Sequence, residues 1–260
     1  MLLKLFQDLY LIFDTKSYFQ ESFGFTCTDE GEIEGSLGKN IGAQIFIRLR
    51  KNNLWPINEK CLEYSKEDLF DIVEFLYDFI SKPTKGTYHS FGGCGWHYSQ
   101  FDKKAGQEEY KEQINLLLSD YESGFELSEN GEILNLPDKG FENLIIKELP
   151  FKDPENIENK VNNAVNKFRK YKSSLSERKE AIRELADVLE FLRKDLTTIL
   201  DKNDEKTIFQ IANQFGIRHH NLNQLTEYDK SIWYSWMFYF YLATIHASIR
   251  LLKKQKNNPV

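Results

Sequence analysis

A long stretch without proline limits the folds open to this chain more than any other feature. No proline occurs between Pro154 and Pro259, and because a proline inside a helix breaks or kinks it, such a stretch can form long helices. Apolar residues recur there at intervals of three and four, which is typical of helices packed in a core. The pattern predicts helices over 157–171, 176–200, 204–215 and 228–255. We therefore expect an all-α four-helix bundle over residues 151–260.

Residues 1–150 have a different pattern, in which helices alternate with glycine-rich segments. Apolar residues have helical spacing over 2–13, 65–80 and 107–121. Between the first two of these helices, a glycine-rich run with the alternating segment Gln44–Leu49 favours one or two strands or an irregular loop. A loop is expected over 82–106, and Asn130-Gly131 predicts a hairpin over 125–134. The chain is thus expected to be an α+β unit over 1–150 followed by the bundle, and to be predominantly helical.

Charge is distributed unevenly between the two parts. Residues 1–150 contain 15 Lys and Arg against 26 Asp and Glu, and residues 151–260 contain 19 against 14. The resulting net charges of −11 and +5 give the −6 of the whole chain. Because a polyanion is attracted to the basic part, contact with a nucleic acid is expected on the second half.

Cysteines and apolar segments indicate the cellular compartment. The three cysteines are few and widely spaced, and polar residues interrupt the apolar N-terminus, so a secretory signal is not indicated. The segment 232–249 is uncharged and long enough to cross a membrane, but its serine, threonine, histidine and tyrosine residues favour a helix buried among other helices. We expect a reduced, cytoplasmic protein without membrane association.

One short segment after the predicted third helix concentrates groups that suit phosphodiester chemistry. It consists of Arg218, His219, His220 and Asn221. The arginine guanidinium is a planar donor for phosphate, and an imidazole exchanges protons near neutral pH. The alternative is a helix cap followed by a solvated turn, in which Asn221 begins the next helix.

Polar residues before and after this segment extend the candidate site. Asn213 lies one turn before it, and Gln224 follows it. The predicted second helix carries a polar stripe, and in the functional interpretation Arg183 or Arg193 of that helix holds phosphate. Asp187 or Glu190 then orients a histidine. In the other interpretation, the stripe is a solvated face with internal ion pairs.

A second group of chemically versatile residues lies in the loop over 88–102. The residues of this loop whose side chains can bind a metal are His89, Cys94, His97 and Asp102. The spacing of Cys94 and His97 occurs in zinc sites, but a second cysteine pair is missing, and Cys27 and Cys61 have no recognisable partner. We therefore expect no metal and no other cofactor.

The aromatic residues of this loop have two further interpretations. Trp96, Tyr98 and Phe101 can pack on the core of the first half, since aromatic side chains mainly contribute buried area. Alternatively, the loop recognises a ligand, with a base stacked on Trp96 or Tyr98. Glycine motifs for ATP or dinucleotide binding are absent from the sequence.

The segments Leu185–Glu190 and Ile211–Asn221, followed by a long aromatic helix, resemble the helical HEPN-type domains of prokaryotic abortive-infection and toxin proteins. The resemblance covers about 151–256 and, more loosely, 113–134, and it implies a four-helix unit that often dimerises. In active members such a unit cleaves RNA without a metal, through an arginine and a histidine a few residues later. Here the imidazoles directly follow Arg218, which implies either a rearranged site or a domain that has lost catalysis and binds a partner.

The expected function is that of a metal-independent endoribonuclease of a phage-defence or toxin system. Arg218 would stabilise the charge that develops on phosphate. One of His219 and His220 would deprotonate a ribose 2′-hydroxyl, and Asn221 would orient the scissile group. The expected partners are RNA, a second copy of the chain bound through the bundle, and a protein of the same defence system. The alternative is a non-enzymatic sensor or scaffold that binds a protein or nucleotide ligand.

Overall fold

The computed structural model divides the chain into two units, Met1–Leu136 and Pro137–Val260. The described residues are 1–146, 149, 153–198, 200, 208–210, 217 and 228–257. Within them, helices dominate and the strands form small antiparallel pairs, as expected for the fold class. The four-helix, HEPN-like arrangement of the second part stays a prediction.

The first unit, which the structure describes throughout, combines short helices with three antiparallel strand pairs. Its helices are Leu2–Thr15 (α1), Gln20–Phe23 (α2), Ile41–Leu49 (α3), Ile57–Lys60 (α4), Lys66–Phe79 (α5) and Lys103–Leu118 (α6). Its strand pairs are Phe25–Cys27 (β1) with Gly31–Ile33 (β2), Lys82–His89 (β3) with Gly95–Asp102 (β4), and Phe125–Leu127 (β5) with Ile133–Asn135 (β6). Helices α1, α5 and α6 and the β5–β6 hairpin were predicted from the sequence.

Helix α5 supplies a large part of this unit's core because one broad face of it is apolar. It begins at a capping box, in which the side chains of Ser65 and Asp68 accept hydrogen bonds from each other's backbone N–H. Its buried residues are Leu69, Phe70, Ile72, Val73, Phe75, Leu76 and Tyr77. The fully buried Tyr110 of α6 donates a hydrogen bond from its hydroxyl to the Val73 carbonyl at 3.3 Å. The β3–β4 hairpin therefore connects, along the chain, two helices that contact each other.

The prediction of one or two strands in the glycine-rich run is confirmed by β1 and β2. For the segment Gln44–Leu49 the prediction is wrong, because this segment belongs to helix α3. The Asn40 side chain accepts a hydrogen bond from the Ala43 backbone N–H at 2.9 Å and caps the helix. Ile41 and Ile45, which lie one turn apart, are both buried. The alternation of apolar residues favours a strand, but burial in the structure follows the helical period.

The expectation of a loop over 82–106 is also wrong, because most of this region forms the β3–β4 hairpin. Much of the hairpin is partly exposed on both faces, so its residues lack the alternation of apolar and polar side chains that marks a half-buried strand. Positive φ angles at Gly92 and Gly93 let the chain reverse between the strands. Of the glycines in this region, Gly92 and Gly93 form the turn, whereas Gly86 and Gly95 belong to the strands.

The second unit is helical in the part that the structure describes. Its helices are Glu142–Ile146 (α7), Asn159–Arg169 (α8), Leu175–Leu196 (α9) and Lys230–Asn257 (α10). Helices α8 and α10 both pack against α9, and Phe168 of α8 stacks on Phe238 of α10 with ring centroids 4.0 Å apart. Of the helix predicted over 204–215, the structure describes Ile208–Gln210, which are helical.

The segment that follows Leu136 belongs to the second unit, whereas the expected boundary followed residue 150. Phe141 stacks on Tyr239 of α10, with ring centroids 4.2 Å apart. His246 of the same helix donates a hydrogen bond from Nε2 to the Leu144 carbonyl at 3.0 Å. These contacts fix the connecting segment to the bundle.

The uncharged segment 232–249 lies within α10. Many of its side chains, including those of Tyr234, Met237 and Leu242, are buried against α8 and α9. Among the residues that the structure describes, no helix combines the length and the apolar character needed to cross a membrane.

Candidate metal centre

Four metal-ligand side chains converge in the first unit. They are Cys27, His89, Cys94 and His97, and their ligand atoms all lie within 4.8 Å of one another. Cys27 ends β1, His89 ends β3, Cys94 lies in the following turn, and His97 lies in β4. Segments that are far apart in sequence therefore contribute to one cluster.

The pairing of β3 with β4 places both histidines on the same face of the hairpin. Thr87 is paired with His97, and His89 is paired with Gly95. Since alternate residues of a strand share a face and paired residues lie on the same side, the two imidazoles point to one side. Their rings lie close together, with centroids 5.2 Å apart.

Close packing joins the turn of this hairpin to the turn after β1. A Cβ atom at Gly92 would lie 2.6 Å from Thr28 Oγ1, so a side chain at this position would clash. The backbone of Gly92 also has a φ of +62°, which favours glycine. Glycine at this position thus lets Cys94 approach Cys27.

The side chain of Gln20 in α2 holds the backbone on both sides of His97. Its amide group donates a hydrogen bond to the Trp96 carbonyl at 2.9 Å and accepts one from the Tyr98 N–H at 2.7 Å. At the other end of the hairpin, Lys82 contacts Glu109 of α6, and this hydrogen bond lowers the pKa of the Glu109 carboxyl. The hairpin is therefore anchored at both ends.

The ligand atoms of the cluster are close enough together to bind a single metal ion. Cys94 Sγ lies 3.1 Å from His97 Nε2, and Cys27 Sγ lies 3.7 Å from His89 Nδ1. The bond lengths of tetrahedral zinc sites imply sulfur–nitrogen separations of about 3.6 Å. Cys27 is 3% exposed, and the Phe25 ring covers His97 with centroids 4.5 Å apart. The cluster is thus partly shielded from water.

Two thiolates and two imidazoles form a donor set that is typical of zinc. The sulfur atoms are soft ligands, and the imidazoles complete a tetrahedral shell. Catalytic zinc sites usually have three protein ligands and an open position for water, whereas structural sites have four protein ligands. The cluster therefore has the composition of a structural site.

Cys27 is the ligand that the sequence analysis missed. We expected no metal because Cys27 has no recognisable partner in the sequence. In the structure Cys27 contacts His89, so the reason for that expectation no longer holds. Asp102 has a side chain that can bind a metal, but it lies outside the cluster and caps α6 by accepting a hydrogen bond from the Ala105 N–H at 3.0 Å. The spacing of Cys94 and His97 was the one sequence signal that pointed to this site.

The exposed aromatic residues of the hairpin lie on the face opposite the histidines. Tyr88 is paired with Trp96, and their side chains are 58% and 49% exposed. Trp96 stacks on Tyr98 with ring centroids 5.7 Å apart. Packing of Trp96 into the core of the first unit, one of the two interpretations above, is therefore wrong.

Most residues of the expected nuclease site lie outside the described part of the chain. These are Asn213, Arg218, His219, His220, Asn221 and Gln224. Arg183 and Glu190 lie on α9, where Glu190 forms an ion pair with Arg193 at 3.0 Å. The Arg193 guanidinium also lies over the Phe209 ring, 4.5 Å from its centroid. Glu190 and Arg193 thus form an ion pair within one helix, as in the interpretation of the polar stripe as a face with internal ion pairs.

Comparison of the chain with protein-family models, with curated proteins and with solved structures finds no match. The resemblance of the second half to HEPN-type domains thus stays a prediction.

Proposed function

We propose that the first unit is a zinc-binding unit in which Cys27, His89, Cys94 and His97 hold one structural zinc ion. The observation that carries this proposal is the convergence of two thiols and two imidazoles, with all ligand atoms within 4.8 Å of one another. Chance clusters of exposed acidic groups are common in proteins, but this set combines two soft sulfur ligands with two imidazoles, which is a donor set typical of zinc.

A metal ion would supply stability that this part of the unit otherwise lacks. Strands β1 and β2 have three residues each, and isolated two-stranded hairpins are marginal in water. The tip of the β3–β4 hairpin carries exposed Phe91 and three glycines in place of a packed core. A zinc ion would link β1 to this tip directly, and its binding free energy would contribute to folding.

Zinc content of the purified full chain tests this proposal. We expect about one zinc ion per chain in the wild type, as one tetrahedral site requires. Cys94→Ser, which removes a partly exposed ligand, is expected to lose most of the bound zinc. Cys61→Ala is the matched control, since Cys61 is a free cysteine outside the cluster. A wild-type chain that neither contains zinc nor takes it up on titration would overturn the proposal.

RNA cleavage by the second unit is a separate proposal. It is supported by the resemblance to HEPN-type domains and by the packing of α8 and α10 against α9. We expect the wild type to leave 2′,3′-cyclic phosphate ends on RNA without added metal, and a folded triple alanine variant of Arg218, His219 and His220 to be inactive. If neither protein cleaves RNA, the non-enzymatic sensor or scaffold becomes the better interpretation.

A further inference from the structure

The two histidines of the metal centre present different ring nitrogens to the thiols. His97 faces Cys94 through Nε2, at 3.1 Å. His89 faces Cys27 through Nδ1, at 3.7 Å. The remaining nitrogen of His89, Nε2, lies 3.2 Å from Oδ2 of Asp29. Among the contacts that the structure describes for these two rings, only those of His89 include both a thiol at one nitrogen and a carboxylate at the other.

This arrangement fixes which nitrogen of His89 can bind a metal. A ring nitrogen that coordinates a metal carries no proton, so in the neutral imidazole the proton is on the other nitrogen. A carboxylate accepts a hydrogen bond from that N–H and thereby selects the tautomer and the ring orientation. With Asp29 on Nε2, the lone pair of Nδ1 points toward the cluster.

A single short segment supplies both the ligand and the carboxylate. Cys27 is the last residue of β1, and Asp29 follows it by two residues in the turn before β2. Thr28, between them, contacts the turn of the β3–β4 hairpin at Gly92. The segment therefore meets His89 at both ring nitrogens, and the contact at Gly92 sets its distance from the hairpin.

We propose that Asp29 is the positioning residue of the metal centre: it holds His89 in the tautomer with the proton on Nε2 and so presents Nδ1 to zinc. This inference rests on the proposed zinc-binding function. Asp29 does not itself bind the metal, because its carboxylate contacts the nitrogen that points away from the thiols. Its side chain is 55% exposed, so we expect it to act through zinc binding and not through packing of its own.

Zinc affinity measured by competition with a chromophoric chelator tests this role in the full chain. We expect Asp29→Ala to weaken zinc binding by about 10- to 100-fold, the usual effect of removing such a partner of a histidine ligand. Asp29→Asn should lose less, because its amide oxygen still accepts the hydrogen bond. Glu30→Gln is the matched control, since Glu30 is an exposed acid in the same turn; its affinity should equal that of the wild type.

Nitrogen NMR of the zinc-loaded protein separates positioning from a merely structural role. In the wild type we expect Nδ1 of His89 to be metal-bound and the Nε2 proton to be visible and protected from exchange. In Asp29→Ala that proton should exchange rapidly. Equal zinc affinity in Asp29→Ala and the wild type, or coordination of zinc through Nε2 of His89, would overturn this inference alone. A wild type that binds no zinc would instead overturn the proposed function.

Discussion

Removal of zinc is expected to lower the free energy of unfolding of the first unit by about 4 kcal/mol, relative to protein at a free zinc concentration about 1,000 times the dissociation constant. The reason is that zinc binds the folded arrangement, in which Cys27 and the β3–β4 hairpin are held together, far more tightly than it binds the unfolded chain. Amide hydrogen exchange followed by mass spectrometry measures the effect. Peptides that cover β1, β3 and β4 should exchange up to about a thousand-fold faster after chelation.

The same experiment contains its own control. Peptides from α9 belong to the second unit, which lacks the proposed zinc site, so their exchange should not change. Cys27→Ser should reproduce the effect of the chelator without any chelator present, and Cys61→Ala should respond to chelation as the wild type does. Unchanged exchange of β1 and of the β3–β4 hairpin after complete zinc removal would contradict a structural role for the metal.

Replacement of Phe238 by alanine is expected to lower the free energy of unfolding of the second unit by about 3 to 5 kcal/mol, as for other fully buried phenylalanines. Phe238 has 0% exposure and stacks on Phe168 with centroids 4.0 Å apart. Its removal would leave a cavity between α8 and α10. Because single domains are stable by only about 5 to 15 kcal/mol, such a loss brings the bundle close to unfolding.

Urea denaturation followed by far-ultraviolet circular dichroism measures this loss, since the signal comes mainly from helices. Phe191→Ala is the control, because Phe191 is a phenylalanine of α9 whose side chain is 50% exposed. We expect its effect to be below about 1 kcal/mol. Similar effects of the two substitutions would mean that α8, α9 and α10 do not share the core described here.

Long helices could be predicted from the sequence because their signals are local. The capping box at Ser65 and the apolar period that follows it mark α5, and the proline-free second half marks α9 and α10. Helix α3 could not be recognised because Ile45, Ile47 and Leu49 alternate in the sequence, whereas in the structure Ile45 is buried and Ile47 is exposed. A short helix that is apolar on more than one face cannot be told from a strand by periodicity.

The metal centre could not be predicted from the sequence because its ligands meet only through tertiary packing. Cys94 and His97 are close in sequence and gave a signal, but Cys27 and Asp29 reach the hairpin from a separate strand pair. The closeness of these segments depends on Gly92, where a Cβ atom would clash with Thr28. Neither the approach of a separate strand pair nor the close contact at Gly92 produces a residue spacing that can be recognised in the sequence.

X-ray absorption at the zinc edge of the purified full chain tests the central claim most directly. The ligand set of Cys27, Cys94, His89 and His97 predicts two sulfur atoms at about 2.3 Å and two nitrogen atoms at about 2.0 to 2.1 Å from the metal. A first shell of oxygen and nitrogen atoms without sulfur would contradict the account.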